Sequence, residues 1–263
     1  MPEVIEQHAV LFTAHRVDVH APEAEHEIAR RLCDHGLVTV EGLFTRRNVL
    51  TFAKRLMDLS PHPNSDPDGL TTIQHTRRHA DRPGHAGLGQ GELAAHTDRS
   101  QVPRPPRLIL LVCEQKAEAG GHSLLVDGQE VLSELLARCP EAVETLSRPR
   151  SVYFGTGTGH PSQVFTLHAG GCASIRLRQD ELARWSPFAE PYLPHLKAAL
   201  LARQHRLDLA PGQAYLLDNH RWLHARTEFS GQRKFLRALG EPRFTMPTGF
   251  ATAPGGTSST EAA

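Results

Sequence analysis

The sequence predicts a mainly β fold, a jelly roll or sandwich decorated by flanking helices. Many short apolar runs alternate with Gly- and Pro-rich turns, a pattern typical of β-sandwiches and jelly rolls. The chain has 263 residues, of which 39% are hydrophobic, enough for the core of one sizeable domain. We therefore expect a single domain over residues 1–252. The last residues, 253–263, are small and polar, so we expect a disordered tail there.

The N-terminal part of the chain is expected to form a helix, a strand and a second helix. Apolar residues recur at helical spacing over residues 21–35, and Gly36 is a natural C-terminal stop. The short apolar run at 37–40 predicts a strand. The second helix is expected over 45–59, with Thr45 as its N-cap.

The next segment, residues 60–91, is rich in Pro, Gly, Asp and His and shows little apolar periodicity. A loop of this length inside a compact domain tends to be functional or disordered. The segment runs directly into the strongest chemical motif of the chain. A lid-like loop around residues 60–95 is therefore favoured over disorder.

Beyond this loop the chain is predicted to be mostly strands, interrupted by two helical insertions. Short apolar runs with turn signals between them indicate the strands, and a 3.6-residue period indicates the helices. The expected strands are 108–113, 123–126, 151–154, 163–167, 173–177, 214–217 and 234–239, and the expected helices are 129–139 and 191–205.

Composition argues against several classes of partner. The 29 Lys and Arg balance the 29 Asp and Glu, so no one-signed field favours nucleic acid or an anionic membrane. No apolar run approaches the length of a membrane span, and the N-terminus shows no secretory pattern. The four cysteines form no CxxC pair, so buried free thiols and a cytoplasmic location are expected; they are Cys33, Cys113, Cys139 and Cys172.

A His-x-Asp motif at His96 and Asp98 is the first candidate for chemistry. In a strand, residues two apart project to the same face, so both side chains could reach one ion. An imidazole, a carboxylate and one further histidine would form the facial triad of non-haem Fe(II) enzymes. In a chain with 17 histidines this motif alone is weak, and two later histidines, His220 and His224, could each be the third ligand.

Four motifs, taken in order, resemble the TauD/TfdA family of Fe(II)- and 2-oxoglutarate-dependent dioxygenases. The likeness runs from about residue 96 to 239, with a weaker echo in the N-terminal helix-strand-helix. The motifs are His96-Thr97-Asp98, Gly120-Gly121-His122-Ser123, the segment from Asp218-Asn219-His220-Arg221 to His224-Ala225-Arg226, and Arg233-x-x-x-Arg237.

The resemblance implies a double-stranded β-helix with iron at its open end and His224 as the third ligand. It also implies that Arg233 binds the distal carboxylate of 2-oxoglutarate, with a hydroxyl donor from Ser123. Arg237 would bind either this co-substrate or an acidic group of the substrate. The spacing from His224 to Arg233 is shorter than is usual in the family, so the roles of the two arginines stay open.

The reaction that the resemblance implies is oxidation of an unactivated C–H bond in a small polar molecule, coupled to conversion of 2-oxoglutarate and O2 into succinate and CO2. Hydroxylation is favoured, and desaturation or cyclisation is possible; the intact Asp98 argues against halogenation. An amino-acid-derived or specialised metabolite is expected as substrate. Its candidate contacts are Gln74, His75, Arg77, Arg78, Arg99 and Arg237. The alternatives are a zinc hydrolase with the same ligands and a non-catalytic jelly-roll binding protein.

Overall fold

The computed structural model describes residues 11–75, 84, 86–157 and 159–252. Two predicted substrate residues, Arg77 and Arg78, and the predicted tail at 253–263 lie outside these ranges. In the described ranges no helix is long and apolar enough to cross a bilayer.

Helices pack against the strands in two apolar clusters, one that contains Ile28 and Phe52 and another that contains Leu132 and Leu196. The helices are α1 (Ala24–His35), α2 (Arg46–Leu56), α3 (Gly128–Arg138), α4 (Pro140–Leu146) and α5 (Leu193–Ala202). Two helix ends form as the sequence predicts. Gly36 ends α1 in the left-handed conformation at φ 67°, and the Thr45 side chain accepts a hydrogen bond from the Asn48 amide at the start of α2.

The strands are short and belong mainly to two antiparallel sheets. They are β1 (Leu37–Val40), β2 (Met57–Leu59), β3 (Thr71–Gln74), β4 (Leu93–His96), β5 (Leu108–Gln115), β6 (Ala119–Gly120), β7 (Ser123–Asp127), β8 (Val152–Phe154), β9 (His160–Ser162), β10 (Phe165–His168), β11 (Cys172–Ile175), β12 (Ala183–Trp185), β13 (Gln204–Leu207), β14 (Ala214–Asp218), β15 (Trp222–Arg226), β16 (Phe229–Ser230), β17 (Lys234–Pro242) and β18 (Phe250–Ala251).

The larger sheet has the order β1-β14-β5-β17-β2, with β3 also paired to β17, and the second has the order β13-β7-β15-β4. Ile109, Tyr215 and Phe235 of the larger sheet are buried in one cluster with Leu125 and Trp222 of the second. The two sheets therefore pack face to face around a common core. This is a double-stranded β-helix, and the predicted jelly roll is confirmed.

Two helices end earlier than the sequence predicts, because the residues that follow them pair as strands with distant segments. The second helix ends at Leu56 rather than residue 59, since β2 pairs with the far end of β17. The helix predicted over 191–205 ends at Ala202, and β13 then pairs with β7. In both places strand pairing to a distant segment overrides local helical periodicity.

The segment predicted as one long loop contains a strand. β3 pairs with β17, with Gln74 opposite Lys234. Arg46 fixes the stretch before β3 by ion pairs of 2.8 Å to Asp66 and 2.7 Å to Asp68. The first half of the expected lid is therefore anchored to α2 and to the main sheet. Residues 76–83 and 85 lie outside the described ranges, so a moving lid stays a prediction.

The cysteines are free thiols, as predicted, but they are not equally buried. Cys113 lies in the core between the sheets, whereas Cys33, Cys139 and Cys172 are partly exposed. The burial expected for those three is wrong because each lies at the end of a helix or strand and reaches the surface.

Candidate metal centre and active-site cavity

Three predicted ligands converge at one end of the second sheet. His96, Asp98 and His224 each offer a ligand atom, and these atoms lie within 4.8 Å of one another. His96 is the last residue of β4 and lies directly opposite His224 on β15. Their ring centroids are 4.2 Å apart, and His224 Nε2 is 4.0 Å from Asp98 Oδ2. Asp98 itself follows the strand rather than lying in it.

His220, the rival third ligand, lies elsewhere. It sits in the turn before β15, and its side chain is not among the residues that line the cavity. His224 lies instead in the middle of the buried strand β15. Cross-strand pairing with β4 places His224, not His220, opposite His96.

The charge states of the three groups fit a divalent cation. Burial lowers the pKa of His96, and it lowers the pKa of His224 to about 3. Burial alone would raise the pKa of Asp98, but the charges of Arg237 and the two histidines lower it to about 2. Two neutral imidazoles and an anionic carboxylate are the states in which these side chains bind metal. His96 Nδ1 lies 2.9 Å from the Ala94 carbonyl and donates to it, which leaves Nε2 for an ion.

Hydrogen bonds from Asn219 and Leu177 fix the backbone around Thr97 and Asp98. The Asn219 side chain accepts from the Asp98 amide at 2.7 Å and donates to the Asp98 carbonyl at 3.0 Å and to the Pro106 carbonyl at 2.9 Å. Thr97 faces away from the cluster, and its hydroxyl accepts from the Leu177 amide at 3.1 Å. Asn219 is only 1% exposed. The backbone that presents Asp98 is therefore fixed by a side chain from the connection between β14 and β15.

Replacing Asn219 is expected to weaken metal binding without touching a ligand. Asn219→Asp keeps the acceptor for the Asp98 amide but loses both donated bonds. Because partners of metal ligands are typically worth 10–100-fold in affinity, we expect Fe(II) affinity to fall by about tenfold or more. Anaerobic Fe(II) titration measures this, with the melting temperature of the metal-free protein as the check on folding. The exposed Asn48→Asp is the control, and equal affinities for the two variants would contradict the role.

Arg237, predicted to bind the co-substrate or an acidic group of the substrate, bonds to Asp98, one of the three candidate ligands. Its Nη1 donates to Oδ1 at 2.8 Å and to Oδ2 at 3.0 Å. Its Nε is buried and has no hydrogen-bond partner among the described residues. A carboxylate offers about four lone-pair positions, so Asp98 can accept from Arg237 and still bind a cation.

Arg233 lies at the inner end of the same cavity. It is 5% exposed, donates through Nε to the Gly121 carbonyl at 3.1 Å, and stacks on Phe235 with 3.7 Å from guanidinium to ring centroid. No carboxylate pairs with it in the part of the chain that the structure describes. Burial lowers the pKa of Arg233 to about 10, so it remains a cation at neutral pH. A buried cation without a counter-charge indicates a site for an anion.

A cavity of about 700 Å³ joins these groups. Among the predicted residues that line it are His96, Asp98, Arg99, Ser123, His224, Arg233 and Arg237. Gln74 and His75, predicted as substrate contacts, are not lining residues. The reason is the alternation along β3: Thr71 and Ile73 face the cavity, so Gln74 points to solvent and His75 follows beyond the strand.

Other lining residues carry no signal in the sequence. His62 lies at the cavity wall and adds to the positive field that lowers the pKa of Asp98. Arg178 and Asp180 form an ion pair at the wall, with Arg178 Nε 2.6 Å from Asp180 Oδ1. Tyr215 lies at the inner end. A tyrosine within an apolar run or a histidine in a loop is ordinary in any sequence, and only the tertiary fold brings these residues to one cavity.

Arg226 fixes the cavity wall next to β15, the strand that carries His224. Two residues after His224, its guanidinium donates to the Gly87 carbonyl at 3.3 Å, to the Gly89 carbonyl at 2.9 Å, and to the Gly91 carbonyl. It also stacks on Phe229 at 4.7 Å. The glycine-rich segment that leads into β4 is thereby tied to the strand that carries the third ligand.

The family comparison agrees with this geometry. Residues 5–239 match the family described as taurine catabolism dioxygenase TauD, TfdA family. That match covers the helix-strand-helix at the N-terminus, most of both sheets and the cavity residues named above.

Individual relatives are more distant. The chain is 29% identical over 150 residues to uridine-5'-phosphate dioxygenase from Amycolatopsis sp, covering 51% of this chain and 54% of that protein. It is 24% identical over 190 residues to human gamma-butyrobetaine dioxygenase, covering 65% and 49%. The chain thus spans about half the length of these curated relatives.

Solved structures share the fold at low identity. Asparagine oxygenase superposes with a TM-score of 0.67 at 18% identity, covering 83% of this chain and 78% of that chain. The non-heme iron oxygenase OrfP, crystallised with Fe and alpha-ketoglutaric acid, gives a TM-score of 0.66 at 16% identity, covering 92% and 85%.

Proposed function

This chain belongs to the TauD/TfdA family of dioxygenases, and from that membership and the cavity we propose that it is an Fe(II)- and 2-oxoglutarate-dependent oxygenase. The observation that carries the proposal is the pairing of two features in one cavity. His96, Asp98 and His224 cluster in one part of the cavity wall. The buried Arg233, for which no described residue supplies a counter-charge, lies in another part. The first suits Fe(II), and the second suits the distal carboxylate of 2-oxoglutarate.

The residues divide the work between holding the metal and holding the co-substrate. His96, Asp98 and His224 would hold iron, which leaves part of its coordination sphere for other ligands. Arg233 and Ser123 would bind the distal carboxylate of 2-oxoglutarate. Bound iron, with 2-oxoglutarate and O2, supplies the oxidising chemistry that yields succinate and CO2. The protein orients the reactants and excludes water from the reacting C–H bond.

The two alternative functions account for fewer of the residues that line the cavity. A zinc hydrolase would use the same three ligands, but it would give no role to the buried Arg233 and Ser123. A non-catalytic binding protein would need no intact ligand set. The direct test is 2-oxoglutarate-dependent O2 consumption with formation of succinate by the Fe(II)-loaded protein. Bound zinc with turnover that does not need 2-oxoglutarate would contradict the proposal.

The proposed substrate is a small polar metabolite, amino-acid-derived or specialised, that is oxidised in the cytoplasm. The cavity size suits a small molecule, and Arg99 and the Arg178–Asp180 pair supply polar contacts. Support also comes from relatives, which include trimethyllysine and gamma-butyrobetaine dioxygenases, and from the fold neighbour asparagine oxygenase. Hydroxylation is the proposed outcome, since the carboxylate of Asp98 occupies the position that a halogenase would leave open.

Arg99 is proposed to bind an anionic or polar group of the substrate. It follows Asp98 directly, lines the cavity, and has a left-handed backbone at φ 58°. Once a substrate is found by succinate release, Arg99→Ala is expected to raise its KM about tenfold and leave the KM for 2-oxoglutarate unchanged. The exposed Arg104→Ala is the control. Arg77→Ala and Arg78→Ala test the other predicted contacts, and unchanged substrate KM in all three variants would overturn the assignment.

A further inference from the structure

Tyr215 lies in the middle of the main sheet and faces the active-site cavity. On β14 it is paired with Leu111 of β5, which is paired in turn with Arg237 of β17 and then with Thr71 of β3. Side chains in one such cross-strand row point to the same face. All four residues line the cavity. Tyr215 is only 1% exposed, so its hydroxyl is enclosed by the protein and the cavity.

The hydroxyl of Tyr215 lies among the groups that form the co-substrate end. It lies close to the Ser123 hydroxyl in the same cavity wall, and the charges of Arg233, Asp98 and Arg237 all act on it. The phenol therefore shares the cavity with both the metal cluster and the buried guanidinium and lies within electrostatic reach of each. Burial raises the pKa of Tyr215 well above its usual value, so at neutral pH the phenol keeps its proton and can donate it in a hydrogen bond.

A carboxylate bound at this end needs more donors than Arg233 and Ser123 provide. Arg233 already uses its Nε on the Gly121 carbonyl, which leaves only its two terminal nitrogens. Ser123 has a single O–H. A buried carboxylate accepts about four hydrogen bonds, and each one left unmade is costly. Among the residues that the structure describes, Tyr215 is a neutral donor that lines the cavity close to both groups.

We propose that the Tyr215 hydroxyl is a third donor to the distal carboxylate of bound 2-oxoglutarate, beside Arg233 and Ser123. The proposal rests on the proposed function. When the carboxylate binds, the Ser123 and Tyr215 hydroxyls both donate to its oxygens. Tyr215 thereby contributes to selection of a 2-oxo acid that carries a second carboxylate.

The test compares two 2-oxo acids in two proteins. The first ligand is 2-oxoglutarate, and the second is 2-oxopentanoate, which has a methyl group in place of the distal carboxylate. Affinities are measured anaerobically for the Fe(II)-loaded wild type and Tyr215→Phe, a variant that removes only the hydroxyl. We expect 2-oxoglutarate to bind about tenfold or more weakly to the variant, as for loss of a bond to a charged group. We expect 2-oxopentanoate to bind both proteins equally, with unchanged Fe(II) affinity and melting temperature.

Controls separate this role from packing and from the parent proposal. Tyr153→Phe, in β8 and outside the cavity lining, is expected to bind both acids as the wild type does. If Tyr215→Phe does not fold, Tyr215→Leu is judged by the same ratio of affinities. If the ratio of the affinities for the two acids is the same in the variant as in the wild type, the inference about Tyr215 is overturned, whereas the proposed function stands. Failure of the wild type to bind 2-oxoglutarate would overturn the proposed function and the inference with it.

Discussion

His224→Ala is expected to abolish tight Fe(II) binding and all 2-oxoglutarate turnover. His224 is 7% exposed, lies opposite His96, and is one of three ligand atoms within 4.8 Å. Without His224, only His96 and Asp98 remain, and the three-residue set of protein ligands that this chemistry uses is incomplete. We expect Fe(II) affinity to fall at least about 100-fold, beyond the loss typical for partners of ligands. Iron content after anaerobic reconstitution and gel filtration, together with succinate formation, measures both effects.

His220→Ala is the matched control for this prediction. His220 lies four residues earlier, is half-buried, and its imidazole interacts with the Pro105 backbone and with Asp218, none of which belongs to the metal cluster. This variant is expected to bind iron as the wild type does. Loss of iron in His220→Ala with normal iron in His224→Ala would show that the ligand set has been wrongly assigned.

Arg233→Met is expected to weaken 2-oxoglutarate binding at least about 100-fold while Fe(II) affinity stays unchanged. The side chain loses its buried charge but keeps apolar contact with Phe235. A desolvated, two-pronged arginine–carboxylate contact is worth several kcal/mol when one partner is removed. The KM for 2-oxoglutarate and its anaerobic Kd are the quantities to measure. Arg233→Lys is expected to recover part of the affinity, since it restores the charge without the planar fork.

Arg237→Met separates the roles of the two arginines. Because Arg237 bonds to Asp98, its removal is expected to affect iron first and 2-oxoglutarate less. If Arg237→Met abolished 2-oxoglutarate binding and Arg233→Met did not, the two roles would have to be exchanged.

The closeness of His96 and Asp98 could be predicted from the sequence because the two residues are near neighbours along the chain. His96 and Asp98 are two positions apart, so strand alternation predicts that they share a side. The two side chains do meet, although β4 ends at His96 and the Asp98 backbone is held by Asn219 rather than by strand pairing. The third ligand needed the family pattern, since local spacing did not separate His224 from His220. The fold class was equally accessible, because short apolar strands and glycine-rich turns repeat along the whole chain.

The cavity walls could not be predicted, because long-range register creates them. Tyr215 reaches the cavity through pairing with Leu111, and Gln74 misses it because β3 turns Ile73 inwards. The clamp of Asn219 on Asp98 spans 121 positions of sequence. A single sequence gives no sign of such pairings. The ends of two helices were wrong for the same physical reason, since distant strands capture their last residues.

The central claim is that iron and 2-oxoglutarate bind together in this cavity. Anaerobic titration of the metal-free protein with Fe(II) and then 2-oxoglutarate tests it most directly, by the visible metal-to-ligand charge-transfer absorption. We expect a band that saturates at one equivalent of iron, disappears in His224→Ala and weakens in Arg233→Met. Folded protein that binds iron but gives no band with 2-oxoglutarate would contradict the account and favour the zinc or non-catalytic alternatives.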